Sequence, residues 1–231
     1  MNDRWGSDNP PIGSGRHFGG YFSGGDRQQA SAKMLQHKWE NAFTIDSLSW
    51  GYARNDNLSI YLNITTILYE VVSTVAYGGN ILINIGPTHD GRIPTIFQER
   101  LSQLGAWLSV NGEAIYETSV WREHNDTALH GVEHGVYYTV RFGRHWKLYD
   151  GGALFAIALE WPESNSLHLA VPEPVDSSHG AVNATLLGSD VVIAVKRNRH
   201  TTGITLTIPP LSVSQLPSLE GPWVFRIEGV E

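Results

Sequence analysis

The sequence predicts an α/β segment over residues 1–120 followed by an antiparallel β-sandwich over residues 121–231. Two observations lead to this fold class. Up to about residue 118, apolar residues at helical spacing alternate with a short apolar run, whereas beyond Trp121 they form short segments separated by Gly and Pro. The chain has 231 residues, 41% of them hydrophobic, which is enough for a sizeable core.

The α/β prediction depends on two helices and the strand between them. The first helix is predicted from Ile64 to the stop at Gly78-Gly79, and its apolar positions follow the i, i+3, i+4, i+7 rule. The run at 80–85, ended by Gly86-Pro87, is typical of a parallel strand buried on both faces. A second helix is predicted to begin at Pro94 and to end at Gly112.

An α/β segment of this length is too short for a complete barrel. A (β/α)8 barrel needs about 250 residues, so if the segment belongs to a barrel, it forms the second half. Residues 7–32 are dense in Gly, Ser, Pro and Asp and predict a long irregular loop, which in a compact domain is usually functional.

The second segment predicts seven short strands and no helix. Their spacing of roughly ten to fifteen residues, with Pro and Gly between them, is typical of an antiparallel sandwich. The predicted strands are 136–142, 154–161, 167–171, 184–187, 191–195, 204–208 and 223–228.

Charge and cysteine content exclude several classes of function. The net charge is −7 and no basic stripe occurs, so nucleic acid is not expected as a partner. The longest apolar runs fall far below the about 18 residues of a membrane span. Without cysteine there is no disulfide or thiolate metal site. His130 and His134 are four residues apart and close to His124, but the surrounding glycines and the lack of a helical period argue against one helix face that could bind a metal. We expect neither a metal nor a cofactor.

Four N-glycosylation sequons favour passage through the secretory pathway, although the lack of cysteine alone would favour the cytosol. They begin at Asn57, Asn63, Asn125 and Asn183. The sequence starts Met1-Asn2-Asp3-Arg4-Trp5, which does not resemble a signal peptide and reads like the inside of a domain.

Reactive groups in α/β folds lie on the loops after the carboxyl ends of strands, and three segments qualify: 2–6, 37–40 and 84–91. Glu40 follows Trp39 and precedes an apolar run, a setting that suits a general acid; the alternative is a surface carboxylate beside a packed Trp. Trp5 would stack under a sugar ring and Arg4 would bind its hydroxyls, or Arg4 would pair with Asp3.

Six motifs resemble, in order, the second half of animal-type α-L-fucosidases of glycoside hydrolase family 29. They are NDRWG at 2–6, HKWE at 37–40, SLSWGY at 47–52, GGNILINIGP at 78–87, FQERL at 97–101 and WLSVNGEAIY at 107–116. The resemblance implies the second half of a (β/α)8-like barrel over 1–120 and a β-sandwich over 121–231.

The resemblance also implies an activity: retaining exo-hydrolysis of terminal L-fucose from glycoproteins and glycolipids, without a cofactor. Such hydrolysis needs two carboxylates about 5–5.5 Å apart. Glu40 matches the family's proposed acid/base residue, and Arg4, Trp5 and Trp39 become candidates for substrate contact. The nucleophile belongs to a Trp-Ser-Asp-Gly motif, which this sequence lacks.

We therefore expect a fragment that is inactive by itself, with the nucleophile and a signal peptide encoded upstream. The full-length enzyme would act on fucosylated glycans in the lysosome or outside the cell, and a homo-oligomer is compatible with this family. The alternative is a non-catalytic carbohydrate-binding or interaction protein derived from a truncated fucosidase.

Overall fold

A computed structural model describes residues 20–23, 26–27, 37–126, 135–162, 164–175, 181–198, 202–217 and 221–231. The chain divides into two compact units, residues 1–106 and 107–231, and the division falls inside a helix. Within the described ranges, no helix is both long and apolar enough to cross a bilayer.

The first unit is built on a parallel strand pair. Strand β1 (Trp39–Thr44) leads through helix α1 (Ile64–Ala76) to strand β2 (Gly79–Asn84). The two strands pair residue for residue from Trp39 opposite Gly79 onward. Phe22 adds a parallel bridge on the other side of β1, where its carbonyl accepts the Glu40 N–H at 2.6 Å. Three chain segments therefore run side by side in one direction.

Helix α1 confirms the first predicted helix. Asn63 caps its N-terminus by accepting a hydrogen bond from the Thr66 N–H at 2.8 Å, and the left-handed Gly78 (φ 72°) follows its end. The helix covers one face of the strand pair, since Asn41 of β1 donates to the Thr74 hydroxyl at 3.0 Å.

Strand β2 corrects one expectation. We predicted burial on both faces, but burial alternates along the strand, and Leu82 is 44% exposed. Asn41 lies opposite Ile81 in the register and faces α1, so Leu82 points to the other side of the sheet. The apolar run reflects one helix-covered face rather than two.

Helix α2 (Thr95–Asn111) confirms the second predicted helix, and a single 3₁₀ turn follows at Gly112–Ala114. The Pro94 carbonyl accepts the N–H of Phe97 at 3.0 Å, which starts the helix directly after the proline. Phe97 is buried and meets the Tyr61 ring edge-on with centroids 5.4 Å apart.

The second unit is antiparallel throughout its described strands. Each predicted strand has an observed counterpart, and the two-residue β3 was not predicted. The strands are β3 (Asn125–Asp126), β4 (Val136–Arg141), β5 (Ala153–Ala158), β6 (Ser166–Leu169), β7 (Asn183–Leu186), β8 (Val192–Arg197), β9 (Ile204–Thr207) and β10 (Trp223–Glu228).

These strands surround a single core. Their order in the sheet is β3-β4-β5-β10-β7-β8-β9-β6. Tyr138 of β4 and Leu167 of β6 lie near opposite ends of that order, yet both belong to one buried cluster. The sheet therefore folds over on itself, which is consistent with the predicted β-sandwich.

Candidate active site

A cavity of about 480 Å³ lies at the amino ends of β1 and β2. Its lining consists of Tyr21, Lys38, Trp39, Glu40 and the segment 78–80. Glu40 and Asn80 are register partners, and the Asn80 amide donates to Glu40 Oε2 at 2.7 Å. The half-buried Glu40 carboxylate is thus held at the edge of the cavity by its neighbour on β2.

The position of Glu40 differs from the sequence-based expectation. We expected the segment 37–40 to follow a strand, but Trp39 opens β1 and Glu40 is its second residue. Glu40 therefore lies at the amino end of the parallel pair, whereas α/β enzymes place reactive groups at the carboxyl ends. The strand begins at Trp39 because the chain there pairs on both sides, with Gly79 of β2 and with Phe22.

Trp39 is only 3% exposed. Its indole N–H donates to the Tyr77 carbonyl at 2.9 Å, and a Cβ on Gly79 would lie 2.5 Å from the ring. The ring is therefore engaged in packing, and its contact with substrate stays a prediction. Arg4 and Trp5 lie outside the described residues.

At the carboxyl ends of the same strands, Asp46 organises the loop that follows β1. Its side chain is 1% exposed, and Oδ1 accepts the N–H groups of Leu48 at 2.8 Å and Ser49 at 2.9 Å. A carboxylate that accepts the backbone N–H groups two and three residues further along the chain is typical of a turn that begins with Asp. Asp46 also bridges Tyr61 in antiparallel fashion, which closes the loop at its base.

Asn84, the last residue of β2, holds this loop from the neighbouring strand. Its amide donates to the Thr44 hydroxyl at 3.1 Å and to the Trp50 carbonyl at 2.8 Å. Two residues later, Gly86 lies so close to the loop that a Cβ would meet the Tyr52 nitrogen at 2.5 Å. The loop backbone is therefore fixed against both strand ends.

Two aromatic side chains remain accessible on this loop. Trp50 is 37% exposed and Tyr52 is 40% exposed. Accessible aromatic rings suit sugars, because the C–H face of a sugar ring stacks on them. The carboxyl ends of the strands therefore offer the better-formed surface for a sugar.

A second carboxyl group lies on the same loop. Burial and the nearby Asp46, with which it shares a hydrogen bond, raise the pKa of Asp56. Asp46 and Asp56 were not predicted; a polar residue directly after a buried strand is the signal that would have found Asp46.

The third predicted segment, 84–91, forms a surface turn beyond Asn84. The Asp90 carboxylate accepts the Arg92 Nε–H at 2.6 Å and the Thr88 hydroxyl at 2.5 Å. These hydrogen bonds, the Thr88 hydroxyl first, lower the pKa of Asp90. The Asp90 carboxylate is therefore held within the turn by Thr88 and Arg92. His89 is exposed.

The asparagines of the four sequons lie in different settings. Asn57 is exposed and its Oδ1 accepts the Ser59 N–H at 3.2 Å, whereas exposed Asn63 caps α1. Asn183 is exposed at the start of β7, and Asn125 is half-buried in β3. Asn57 and Asn63 both belong to the connection between β1 and α1, which also contains Trp50.

No group of three or more His, Asp or Glu side chains in the described ranges is arranged to hold a metal ion. Of the three histidines considered above, His124 is half-buried, and His130 and His134 lie outside those ranges.

Comparison with known proteins decides the family. The sequence pattern of the family described as Alpha-L-fucosidase matches residues 1–113, and that of the Alpha-L-fucosidase C-terminal domain matches residues 125–228. The chain belongs to the α-L-fucosidase family. The resemblance seen in the sequence motifs is thereby confirmed.

Relatives in this family align over nearly the whole chain. An alpha-L-fucosidase of Branchiostoma floridae is 42% identical over 99% of the chain, and the plasma and tissue alpha-L-fucosidases of Homo sapiens are 42% and 37% identical. The chain spans 44–45% of the length of these three relatives.

Solved fucosidase structures share the fold. The alpha-fucosidase of Thermotoga maritima is 27% identical, with a TM-score of 0.67 over 98% of this chain and 44% of that chain. A family 29 alpha-L-fucosidase of Bacteroides thetaiotaomicron, at 22% identity, has a TM-score of 0.70 over 98% of this chain and 47% of that chain. The second of these supports the fold alone.

Proposed function

We propose that this chain supplies part of a retaining α-L-fucosidase, which hydrolyses terminal α-L-fucose from glycoproteins and glycolipids by double displacement. The observation that carries the proposal is the match of the α-L-fucosidase pattern to residues 1–113, which contain both ends of the parallel strand pair. The exposed Trp50 and Tyr52 beside Asn84 fit the recognition of a sugar.

The proposed architecture is the second half of a (β/α)8-like barrel over residues 1–120 and a β-sandwich domain over 121–231. The parallel β1–α1–β2 unit followed by α2 supports the first part, because such units build barrels. The folded-over antiparallel sheet supports the second.

Glu40 is the proposed acid/base residue, on the strength of its place in the Lys-Trp-Glu motif. Its carboxylate lies at the amino end of β1, at the edge of the cavity. Because the sequence lacks the Trp-Ser-Asp-Gly motif of the family nucleophile, we propose that the 231-residue chain alone does not hydrolyse fucosides.

A chimera tests the activity and Glu40 together. The part of the Branchiostoma floridae enzyme that this chain does not cover is joined to this chain and assayed on an aryl α-L-fucoside and on a fucosylated oligosaccharide. We expect turnover by the chimera and none by the isolated chain. An isolated chain that turns over the aryl fucoside would overturn the proposed division of the machinery.

Within the active chimera, Glu40→Gln separates an acid/base role from a structural one. An acid catalyst matters most for poor leaving groups, so the variant should lose far more activity on the oligosaccharide than on the aryl fucoside. Glu99→Gln, an exposed carboxylate on α2, is the matched control. Equal loss on both substrates would exclude Glu40 as the acid/base residue.

The alternative function, a carbohydrate-binding or interaction protein without catalysis, predicts a different result. Exposed Trp50 and Tyr52 favour sugar binding whether or not hydrolysis follows. Under this alternative the isolated chain binds fucosylated glycans and the chimera stays inactive.

We also propose a lysosomal or secreted location with N-glycans at Asn57, Asn63, Asn125 and Asn183. The exposure of Asn57, Asn63 and Asn183 supports modification there. Expression in a secretory eukaryotic host, followed by mass spectrometry before and after enzymatic deglycosylation, tests each asparagine. A secreted chain with all four asparagines unmodified would contradict the proposal.

A further inference from the structure

The most exposed of the large hydrophobic side chains in the described ranges lies in the second unit, on the β4–β5 loop (residues 142–152). This side chain is Trp146, with 79% of its surface exposed. It has a ring neighbour in Phe142, whose centroid lies 5.9 Å from that of Trp146 at a tilt of 58°. The indole stands out from the domain on the side away from its core.

The loop that carries Trp146 is tightly built. The Arg144 N–H donates to the Asp150 carbonyl at 2.8 Å, and the Gly152 N–H donates to the Leu148 carbonyl at 3.0 Å. Leu148 is buried in the domain core. At Gly143, a Cβ would lie 2.0 Å from the Asp150 carbonyl oxygen, so only glycine allows this approach. The loop is therefore anchored at its base rather than free to move.

The tip of the loop is strained. His145 and Trp146 have successive left-handed φ angles of 55° and 60°. That region is unfavourable for bulky side chains, and neither residue recovers the cost by burial, since both are exposed. Strain of this kind is found where a side chain must be presented to a ligand.

Positive charge surrounds the exposed indole. Arg144 and Lys147 are exposed on either side of Trp146 in the sequence. The acidic residue of the loop, Asp150, lies 3.7 Å from His145, and Lys147 Nζ lies 5.2 Å from the Tyr149 ring centroid. On a chain with a net charge of −7, this loop is a local basic and aromatic surface.

We propose that the β4–β5 loop binds an acidic glycan. The Trp146 indole stacks on the C–H face of a pyranose ring, and Arg144 and Lys147 pair with a carboxylate or sulfate on that sugar or its neighbour. The site lies in the second unit and needs no hydrolytic machinery, so it stands apart from the fucosidase function proposed above.

Other partners fit this loop less well. Insertion into a membrane surface needs several apolar side chains on one face, but Leu148 is buried and Phe142 is half-buried, which leaves Trp146 alone. Single-stranded nucleic acid needs a longer basic groove with successive aromatic platforms.

The proposal is tested by calorimetric titration of the full 231-residue chain with three small oligosaccharide probes. Sialyllactose carries a carboxylate, sulfated lactose carries a sulfate, and lactose carries neither. We expect at least one acidic probe to bind about tenfold more tightly than lactose, since Arg144 and Lys147 together add two exposed ion pairs. Equal affinity for all three probes, or no binding of the acidic probes, overturns the proposal.

Variants locate the site. Trp146→Ala should weaken the acidic probe at least tenfold, whereas Val213→Ala, another residue of the second unit with 74% exposure, should leave it unchanged. Arg144→Gln with Lys147→Gln should bring the acidic probe down to the affinity of lactose. Unchanged binding in Trp146→Ala overturns the proposal.

Two further readouts separate ligand binding from other causes. Trp146→Gly relieves the left-handed strain, so it should raise the melting temperature while weakening the acidic probe at least tenfold. A folded Trp146→Gly variant that keeps the affinity of the parent overturns the proposal. Vesicles of phosphatidylcholine and phosphatidylserine should not bind. Vesicle binding that requires Trp146, without binding of either acidic probe, would identify a membrane contact instead.

Discussion

The two units bury their sheets in different ways. In the second unit all six residues of β5 are buried, and side chains from β4 to β10 converge on one apolar cluster. In the first unit β2 alternates between half-buried and exposed positions, and Leu82 is 44% exposed on the face turned away from α1. One sheet closes over its own core, whereas the other is covered by a helix on one face.

This difference in burial determines what the polar side chains of each unit can do. The polar groups in the core of the second unit are used in structure: Asp126 accepts the Tyr138 hydroxyl at 3.1 Å and the Ala170 N–H at 2.7 Å. In the first unit, Asp46 and Asn84 hold the loop that follows β1, and Glu40 lies at the edge of the cavity at the amino ends of the strands. Side chains that must meet a substrate need the second kind of setting.

The largest effect should come from the closed core. Phe225→Ala, a fully buried residue in the middle of β10, should destabilise the second unit by about 3–5 kcal/mol because it leaves a cavity. Leu82→Ala should cost under about 1 kcal/mol because Leu82 is already partly in water. Hydrogen exchange followed by mass spectrometry measures each unit separately. If Leu82→Ala lowered the free energy of unfolding as much as Phe225→Ala, the proposed difference in burial between the two units would be wrong.

The next effect concerns the close approach of Gly79 to the Trp39 ring in the first unit. Gly79→Ala should cost about 1–3 kcal/mol, because the new Cβ would meet the Trp39 ring at 2.5 Å and Thr74 Cγ2 at 2.8 Å. Gly105→Ala in α2 is the matched control, with open space around its Cβ, and should stabilise the helix by about 0.5–1 kcal/mol. Urea unfolding monitored by hydrogen exchange in α1 and α2 checks both. Equal effects of the two substitutions would show that the Trp39 contact adapts at no cost.

A smaller effect should come from the buried hydroxyl of the second unit. Tyr138→Phe should cost about 1–2 kcal/mol, since Asp126 loses one of its donors. Burial, followed by the nearby Asp126, raises the pKa of Tyr138 well above its ordinary 10.0.

That pKa shift also predicts a dependence on pH. The unfolded chain ionises Tyr138 near pH 10 while the folded chain keeps the proton, so the stability contributed by the neutral hydroxyl is complete below pH 10 and falls as the pH rises above it. Denaturant unfolding between pH 8 and pH 11 should show a shallower decline for Tyr138→Phe than for the parent. Parallel declines would contradict the assignment.

The smallest effect should come from Glu70, a partly buried carboxylate of α1 that contacts Asn41 of β1. Burial raises the pKa of Glu70, and the hydrogen bond from Asn41, at 3.0 Å, acts in the opposite direction. The unfolded chain therefore releases this proton at lower pH than the folded chain, and stability declines as the pH rises from about 4.5 through the raised value.

Glu70→Gln should remove that decline while its side-chain oxygen still accepts from Asn41. The gain at pH 7 should be under about 1 kcal/mol, since Glu70 remains partly solvated. Thermal melts at pH 4 and pH 7 measure it, with the exposed Glu99→Gln as control. A variant that is less stable than the parent at pH 7 would show that the charge itself is needed.

Local signals predicted the elements of this protein well. The spacing of apolar residues from Ile64 and the following glycines gave α1, and Pro94 with Gly112 bounded α2. The strands of the second unit were predicted to within about three residues, because alternation and turn residues act locally. Strand β3 was not predicted because two residues are too few to show an alternation of apolar and polar side chains.

The site was predicted less well, because its arrangement depends on which strand ends meet. The segment 37–40 was expected to follow the carboxyl end of a strand, but Trp39 and Glu40 begin β1. Nothing in the local sequence distinguishes a residue that begins a strand from one that follows a strand. The roles of Asp46 and Asn84 depend on a hydrogen bond between residues 34 positions apart and on a turn beyond β1.

The sequence by itself determined the family, the two fold classes and most element bounds, because motifs, periodicity and turn chemistry are properties of neighbouring residues. Only the tertiary structure decided that β10 lies between β5 and β7, that Leu82 remains exposed, and that Trp146 is held outward on a strained loop. Strand order and exposure arise from contacts between distant residues, whose free energy no local pattern contains.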